Sequence, residues 1–444
     1  MTPPDVILLS IDALRADHLH YLGYDRSTSP TLDALAENLV SFSNAMSASS
    51  HTREAVPSLL TGRSPDVFAA DGYRLATESI AGMVHENGYA TAGFHSNPYL
   101  SRAYGYDSEF DTFYDDLYLG NNRLLALVQR ALDKFVFNRG EYHARADEIN
   151  RRSLSWLDSL SDTDRPFFLW NHYMDVHGPY NPPESHEVYV SESLSNGEAQ
   201  KLYQKTISDP ESVTEREREL LIDLYDSELR YLDDRIGAFL DELRERDLFE
   251  DSLIVVTADH GDAFGERGYF THPRYPHEEL LRVPLLISTP SGDTGTIEQP
   301  VSTLDIVPTI GAWAGVDTDS LPGDVLVGPE DGPRTDSLRG LAFSSAQGED
   351  DHSNVRRFAV RDDEWLCQMN RETDSGDVVS RRVFDVRKAS AEEIPLDEAP
   401  DRVTDLFDRL TDESSTKLTA ARPSANDDDV PDDVSDRLDA LGYK

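Results

Sequence analysis

The sequence predicts an α/β fold: a mostly parallel sheet with helices on both faces. Short apolar runs indicate buried strands, segments with helical spacing separate them, and acidic residues directly follow two of the runs. Alternation of strands and helices is typical of parallel sheets, because the crossover helices pack on the sheet faces. With 444 residues, the chain is long enough for one large α/β domain and a smaller one.

The predicted elements follow from residue spacing. An apolar run of four to six residues fits a strand that is buried on both faces. The longest predicted helix has apolar side chains at helical intervals from Leu220 to Leu243. We predict strands at 6–11, 90–94, 167–170, 253–256 and 285–288, and helices at 31–38, 75–87, 147–160 and about 214–246.

The pattern changes in the last quarter of the chain. Two runs, RRFAVRDDEWLCQM and VVSRRVFDV, predict two short strands of an antiparallel unit. The polar segment 184–215 predicts a surface excursion outside the sheet, and the acidic, low-complexity segment 421–433 predicts a linker. We expect a main domain over 1–330, a small C-terminal antiparallel α+β subdomain over 340–412, and an acidic tail with a short terminal helix over 413–444.

The composition is strongly acidic. The chain has 84 acidic and 41 basic residues, a formal net charge of -43, and only six lysines. This charge disfavours nucleic acid and anionic membranes as partners. In molar salt the screening length falls to roughly 3 Å and self-repulsion largely disappears, so we predict a protein adapted to high salt.

Cysteine usage and hydropathy suggest where the protein works. Cys367 is the only cysteine, which excludes an intrachain disulfide and a thiolate metal cluster. The first strand begins close to Met1 and is too short for a signal core, and no stretch approaches the roughly 18 apolar residues of a membrane span. We therefore expect a cytoplasmic protein without a membrane span.

The strongest site candidates lie at two strand ends. Asp259 and His260 follow the run LIVV, and Asp12 follows the run VILLSI. Open α/β sheets place their binding crevice at the carboxyl ends of the strands, so the two carboxylates could share one cation. Asp12 alone would fit a helix cap, but a cap does not need the histidine that follows Asp259.

A third element is the hydroxyl-rich run SASSHTREAVPSLLTGR at 47–63. Its hydroxyl groups precede a short helical piece, so a nucleophile here would lie near a helix N-terminus, which favours an anion. By itself the run is equally typical of a capped helix.

Seven motifs in order carry a resemblance: IDALRADHL, the hydroxyl run with PSLLTGR, GYATAGF, MDVHGPY, TADHGDAFGERG, HEELLRVPLLIS and STLDIVPTI. This order resembles the sulfatase family of the alkaline phosphatase superfamily, from about residue 4 to 326, and implies that family's fold for the predicted domain at 1–330.

The resemblance implies a metal site formed by Asp12, Asp259, His260 and the nucleophile's oxygen. It places Thr52 at the nucleophile position, with Ser49 and Ser50 as alternatives. It also implies catalytic roles for His177, which matches a histidine that contacts the ester, and for His272, which stands where many relatives have lysine.

The chain also departs from the family pattern. Relatives convert a cysteine or serine into formylglycine, whereas Thr52 makes that modification unlikely here. Val56 replaces the usual arginine, and Arg53 lies close enough in sequence to substitute as a substrate-binding residue. Ala13 replaces the second aspartate of a pair. Asn97 stands in the segment where the family has Gly-Lys-Trp-His, and it fits either a residue that lines the substrate pocket or one that caps a turn.

The residues and the resemblance together predict a metal-dependent hydrolase of sulfate or phosphate esters with a hydroxyl nucleophile. The expected cofactor is one divalent cation, with Ca²⁺ or Mg²⁺ favoured by the resemblance and Mn²⁺ or Zn²⁺ compatible with the imidazole. The expected substrate is a small anionic ester or a sulfated or phosphorylated glycan. The alternatives are a phosphodiesterase or phospho-group transferase of the same superfamily, and a catalytically silent binding protein.

Structural roles are expected for most other histidines. His172 is interpreted as a packing or capping residue near its strand, and His18 as a structural residue in the turn after the first strand. Positions at the surface, or behind the residues that bind the cation, are expected for His51, His85, His143, His277 and His352.

Overall fold

The protein is described by a computed structural model that covers residues 3–70, 72–116, 143–160, 163, 165–191, 194–349, 352–388, 391–418 and 434. Within these residues the chain forms a large mixed sheet with surrounding helices, followed by a smaller antiparallel sheet. The predicted α/β class is confirmed.

Apolar and β-branched runs form the strands of the large sheet, and its central strands are wholly buried. The strands are β1 Asp5–Ile11, β2 Val40–Met46, β3 Ala90–Phe94, β4 Thr112–Tyr114, β5 Phe167–Tyr173, β6 Ser252–Ala258, β9 Arg282–Ser288, β10 Gly295–Ile297 and β11 Val301–Ser302. The spatial order is β10-β2-β9-β6-β1-β5-β3-β4, with β11 beside β2. A small separate hairpin joins β7 Ala263–Phe264 and β8 Phe270–Thr271.

The strand pairs of the large sheet are parallel except at one strand. β1 lies between β5 and β6, parallel to both, whereas β9 is antiparallel to its neighbours β6 and β2. The apolar run at 285–288 predicted the existence of β9 but not its direction. The run VSFSNAM of β2 is half polar, which is why periodicity did not predict that strand.

Helices separate the strands, as predicted. The longest, which the sequence placed at about 214–246, is capped by reciprocal bonds in which Thr214 accepts from the amide of Glu217 and the Glu217 carboxylate accepts from the amide of Thr214. The helices are α1 Pro30–Asn38, α2 Thr52–Thr61, α3 Asp66–Ala69, α4 Ile80–Glu86, α5 Ala146–Leu160, α6 Asn196–Ser208, α7 Glu215–Glu245, α8 Glu278–Leu281, α9 Ile306–Ala314 and α10 Asp401–Lys417. Residues 184–215 lie outside the large sheet, as expected, and contain α6.

The C-terminal sheet is a five-stranded antiparallel meander. After the short pair β12 Val327–Gly328 and β13 Gly332–Pro333, its strands are β14 Ala342–Gln347, β15 Val355–Arg361, β16 Trp365–Glu372, β17 Val378–Asp385 and β18 Glu392–Ile394. The predicted single strand in RRFAVRDDEWLCQM is therefore wrong: it is a hairpin. Asp362 turns the chain, because its Oδ1 accepts from the amides of Glu364 and Trp365 at 2.8 and 2.7 Å.

Helix α10 packs on β15 and β16, and Leu406 and Leu410 contribute to the small core beneath it. The helix runs across the predicted boundary at 412. The predicted domain limits stay a prediction, and most of the predicted tail, including the linker at 421–433, lies outside the described residues.

The C-terminal sheet is bonded to the segment that precedes α2. The amide of Ser345 donates to the carbonyl of Ala48 at 2.9 Å, and the Ser344 hydroxyl donates to the carbonyl of Ser47 at 2.6 Å. The turn from which α2 starts is thus held by the large sheet, through β2, and by the C-terminal sheet, through these two hydrogen bonds. In the described part of the chain, no helix combines the length and the apolar character needed to cross a membrane.

Candidate active site

The site lies where β1, β5 and β6 end. Asp12 follows β1 and Asp259 follows β6, and both carboxyl groups are buried. The strand ends are held in register, since the Asp12 amide donates to the carbonyl of Tyr173 at 2.8 Å and the Asp259 amide donates to that of Ile11 at 3.2 Å. The sheet therefore brings together the two carboxylates that the sequence predicted as neighbours.

Each carboxylate has one oxygen in hydrogen bonds and one without. Oδ1 of Asp259 accepts from the amides of Ala13 and His260 at 3.2 and 2.8 Å. The left-handed backbone of Ala13, with φ 60°, turns its N–H toward this oxygen. Oδ2 of Asp12 accepts from Nδ2 of Asn97 at 2.6 Å. The other oxygens, Oδ1 of Asp12 and Oδ2 of Asp259, have no hydrogen-bond partner among the described residues.

Asp12 and Asp259 are buried carboxyl groups at neighbouring strand ends, and two such groups cannot both be ionised without a large cost in free energy. Burial and the charge of Asp12 raise the pKa of Asp259 well above its usual value. Burial also acts to raise the pKa of Asp12, but the imidazoles of His177 and His172 outweigh it and hold that pKa far below the usual value. A pair with two unsatisfied buried oxygens fits a divalent cation, which would neutralise both charges.

Asp12 and Asp259 form the potential metal group together with His172, with ligand atoms all within 4.8 Å of one another. His260 faces the same carboxylates, and its Nε2 lies 3.7 Å from Oδ1 of Asp12 and 3.5 Å from Oδ2 of Asp259. Of the predicted ligands, Asp12 and Asp259 belong to the group of mutually close ligand atoms, His172 joins them, and His260 lies beside that group.

Thr52 is the first residue of α2, and its hydroxyl is buried at the same place. Oγ1 of Thr52 lies 2.9 Å from Nε2 of His260. Because Nδ1 of His260 lies 2.8 Å from the carbonyl of Gly261, Nδ1 carries the proton and Nε2 accepts one from Thr52. Burial and the neighbouring His272 lower the pKa of His260 to about 4, so its ring stays neutral.

The alternative hydroxyl groups are placed differently. Oγ of Ser49 donates to the buried Glu54 carboxylate at 3.3 Å, away from the carboxylate pair. Ser50 is buried, and its hydroxyl has no hydrogen-bond partner among the described residues. Of the three, Thr52 is the one whose hydroxyl is hydrogen-bonded to a predicted metal-site residue, His260, among the described residues.

His177 and His272 also lie at this site. Their ring centroids are 4.9 Å apart, and those of His272 and His260 are 4.7 Å apart. Nδ1 of His177 donates to the carbonyl of Gly178 at 2.7 Å, and burial lowers the pKa of His177 to about 4. Burial opposes protonation of His272 too, but Asp262, 3.3 Å away, outweighs it and raises the pKa.

Arg53 and Asn97, the predicted substrate-binding residues, have defined surroundings. The Arg53 guanidinium lies over the rings of Tyr73 and Tyr99, at 4.2 and 4.8 Å from their centroids. Besides its bond to Asp12, Asn97 accepts from the amide of Tyr99 at 2.9 Å. Asn97 therefore orients the Asp12 carboxylate, and its contact with substrate stays a prediction.

Three residues at the site were missed by the sequence analysis. His172 was interpreted as a packing residue, but its Nε2 lies 3.3 Å from Oδ2 of Asp12. His51 caps α2 and is buried, with its ring 5.6 Å from that of His272. Arg274 is buried and donates to the Tyr73 hydroxyl at 2.7 Å. A signal existed for His172, because a polar residue inside a fully buried strand needs a polar partner.

A hydroxyl group beside two buried carboxylates, at the carboxyl ends of the strands of an α/β sheet, is an arrangement that fits the class of ester-cleaving enzymes. Comparison with known proteins identifies the family. The sulfatase family model matches residues 4–316. An arylsulfatase of Clostridium perfringens is 25% identical over 371 residues, which cover 72% of this chain and 76% of that protein. The chain therefore belongs to the sulfatase family of the alkaline phosphatase superfamily, a family of sulfuric ester hydrolases.

Solved structures show the same fold. A phosphonate monoester hydrolase from Silicibacter pomeroyi superposes with a TM-score of 0.72 at 20% identity, covering 95% of this chain and 96% of that one. A protein solved with D-glucosamine-2-N,6-O-disulfate gives 0.73 at 16% identity, with coverage of 95% and 99%. The predicted family relationship and fold are confirmed.

Proposed function

We propose that the protein is a metal-dependent hydrolase of sulfate or phosphate esters in which Thr52 is the nucleophile. The observation that carries this proposal is the Thr52 hydroxyl, bonded to Nε2 of His260 at 2.9 Å beside two carboxylates with unsatisfied oxygens. Formylglycine is not part of the proposal, since the nucleophile position holds threonine and Cys367 is buried in the C-terminal sheet.

The residues that would hold the cation are Asp12, Thr52, Asp259 and His260. When bound, the cation would neutralise the carboxylates, lower the pKa of the Thr52 hydroxyl and polarise the ester. The ion expected from the family is Ca²⁺ or Mg²⁺, and the imidazole makes Mn²⁺ or Zn²⁺ compatible.

The protein groups then supply positioning and protons. In the loaded site Nε2 of His260 would bind the cation, so we assign the Thr52 proton to Nε2 of His177, which is neutral because its pKa is low; Thr52 Oγ1 then attacks sulfur or phosphorus. The bond to the leaving oxygen breaks, and His272, favoured as imidazolium by Asp262, protonates that oxygen. Water next attacks the Thr52 ester, gives its proton to His272, and Thr52 recovers its own from His177. The net reaction consumes one water and restores both histidines.

Arg53 and Arg274 are suited to bind the anionic group of the substrate. Both guanidinium groups lie against Tyr73, at 4.2 and 5.2 Å from the ring centroid, close to the histidine cluster. They offer positive charge where the family's usual arginine is replaced by Val56. We propose a small anionic ester or a sulfated or phosphorylated glycan as the substrate class.

A phospho-group reaction is the second candidate. The nucleophile is threonine rather than a formylglycine precursor, and the phosphonate monoester hydrolase has the same fold. A phosphodiesterase or phospho-group transferase would use the same Thr52 and cation, so activity on different esters must separate the candidates.

The test compares esters and variants in molar potassium chloride. Purified protein is assayed on 4-nitrophenyl sulfate, 4-nitrophenyl phosphate and bis(4-nitrophenyl) phosphate, before and after EDTA and with cation restored. We expect EDTA-sensitive turnover that is abolished in Thr52→Ala and partly kept in Thr52→Ser. Activity that survives Thr52→Ala but is lost in Ser50→Ala or Ser49→Ala would show that the serine, and not Thr52, is the nucleophile. No turnover and no retained metal would favour the silent binding protein.

We further infer that the protein functions in high salt. The support is the net charge of -43 with only six lysines, which destabilises a compact chain unless counterions screen it. A cytoplasmic location stays a prediction.

A further inference from the structure

We propose that His172 is a direct ligand of the cation, in place of the carboxylate lost at Ala13, and that the site prefers Mn²⁺ or Zn²⁺ to Ca²⁺. This inference rests on the proposed function for the presence of a cation. It concerns a residue to which the resemblance gives no role.

The position of His172 supports the proposal. Its side chain is buried near the end of β5, and β5 pairs with β1 so that Ser10 lies opposite His172. Nε2 of His172 belongs to the group of ligand atoms, with those of Asp12 and Asp259, that lie within 4.8 Å of one another. No other group of three such residues with ligand atoms this close is found in the described part of the chain.

The distances fit ligands that share an ion better than they fit direct ion pairs. Nε2 of His172 lies 3.3 Å from Oδ2 of Asp12, and Nε2 of His260 lies 3.5 Å from Oδ2 of Asp259. A charge-assisted N–H···O bond is typically about 2.7–2.9 Å long. Two ligand atoms that each lie about 2.0–2.2 Å from one cation are separated by roughly 3.0–3.5 Å. Both observed separations fall in the second range.

The other side of the ring is arranged as a ligand needs. Nδ1 of His172 lies 2.9 Å from Oγ of Ser10, and that oxygen accepts from Nε1 of Trp170 at 2.9 Å. An indole N–H only donates, so Ser10 accepts from Trp170, and its hydroxyl can still either accept from or donate to Nδ1 of His172. In the tautomer in which Nδ1 donates to Ser10, the Nε2 lone pair faces Asp12, and this is the tautomer that a metal ligand requires. Metal-ligating histidines usually donate their other N–H in this way.

The ligand set determines which ion is preferred. A family-typical carboxylate at position 13 would make the site oxygen-dominated, which suits Ca²⁺ and Mg²⁺. Ala13 removes that oxygen, and His172 adds a second imidazole beside His260. Two imidazoles with two carboxylates suit Mn²⁺ or Zn²⁺ better than Ca²⁺. The two changes, an oxygen ligand lost and a nitrogen ligand gained, act in the same direction.

The decisive measurement counts the histidines on the metal without using activity. The full-length protein is stripped with EDTA, loaded with Mn²⁺ in molar potassium chloride, and studied by electron spin-echo envelope modulation, which detects directly coordinated imidazole nitrogen. We expect two imidazoles in the wild type and one each in His172→Gln and His260→Gln. A single imidazole in the wild type, unchanged in His172→Gln, would overturn the proposal without any need for the variant to be stable.

Metal affinity provides a second measurement with a matched control. His172→Gln should weaken Mn²⁺ binding by more than about 100-fold, because loss of a residue that merely orients a ligand typically costs 10–100-fold. The control is His18→Gln, since His18 is also a buried histidine that contacts a buried aspartate, Asp226, at 2.7 Å. A loss below about 10-fold, or Ca²⁺ displacing Mn²⁺ at equal concentration, would refute the assignment.

The two proposals can fail separately. A protein that binds Mn²⁺ through two imidazoles but cleaves none of the test esters would support His172 as a ligand and contradict the proposed hydrolase. A protein that is active with one coordinated imidazole would do the reverse.

Discussion

Glu54 and Arg356 form a buried ion pair between helix α2 and the C-terminal sheet, and we predict that Glu54→Gln destabilises the protein strongly. Both side chains are inaccessible to solvent, at 0% exposure. Nη2 of Arg356 donates to Oε2 of Glu54 at 3.2 Å, and Oε1 of Glu54 accepts from the amide of Gln347 at 3.1 Å. The substitution keeps the shape of the side chain and removes the charge that compensates Arg356.

The magnitude follows from the surroundings of the guanidinium. Removing one partner of a buried pair costs about 3–5 kcal/mol. Nε and Nη1 of Arg356 have no hydrogen-bond partner in the described residues. These two atoms therefore have no other contact that would compensate the guanidinium once the Glu54 charge is removed. Asp66 lies near enough for Arg356 to oppose the burial that raises the Asp66 pKa, and this remaining carboxyl favours the lower end, about 3 kcal/mol.

Calorimetry in molar potassium chloride can measure this change. Unfolding entropy of about 2.1 cal/mol/K per residue gives roughly 0.9 kcal/mol/K for the 444-residue chain, so about 3 kcal/mol lowers Tm by about 3 °C. The control is the double variant Glu54→Gln with Arg356→Met, which removes both charges, keeps a carbonyl oxygen at position 54 for the Gln347 amide, and should melt within about 1 °C of the wild type. An unchanged Tm in Glu54→Gln, or a double variant as unstable as the single one, would refute the reasoning.

Three other predictions concern charge. Burial raises the pKa of Asp175 to about 7, well above its value in the unfolded chain, so the folded protein holds an extra proton between about pH 4 and 7 and loses stability as pH rises through that window. Asp175→Asn should therefore raise Tm more at pH 8 than at pH 4, and an equal effect at both would contradict that shift. Transfer from 2 M to 0.02 M potassium chloride should lower Tm by more than about 10 °C, because the charge of -43 is no longer screened; a constant Tm in circular dichroism melts would argue against salt adaptation. Arg53→Met should raise KM for anionic esters about 10-fold or more while Tm stays near the wild-type value, and an unchanged KM would remove Arg53 from substrate binding.

Much of the site could be predicted because its key residues follow strands that apolar runs reveal. Asp12 and Asp259 each come directly after such a run, and parallel strands end at one edge of a sheet. The position of Thr52 came from motif order, since a hydroxyl-rich turn alone does not indicate which hydroxyl group faces the carboxylates.

The missed features depend on contacts between distant segments. His172 and Asp12 are 160 residues apart, so the role of the imidazole depends on which strand pairs with β1. Arg274 gains its place through Tyr73, 201 residues away. The antiparallel direction of β9 was hidden for a similar reason, because a fully apolar strand looks the same in either direction.

The bonds from the C-terminal sheet to helix α2 set the order in which the candidate site can be completed during synthesis. Gln347 and Arg356 follow their partner Glu54 by 293 and 302 residues. At about 5–20 residues per second, the ribosome makes this stretch in roughly 15–60 s. Throughout that interval the turn bearing Thr52 lacks its contacts to β14 and β15. A nascent chain that stops between residues 259 and 347 therefore carries both Asp12 and Asp259 but lacks these contacts to the segment that bears Thr52.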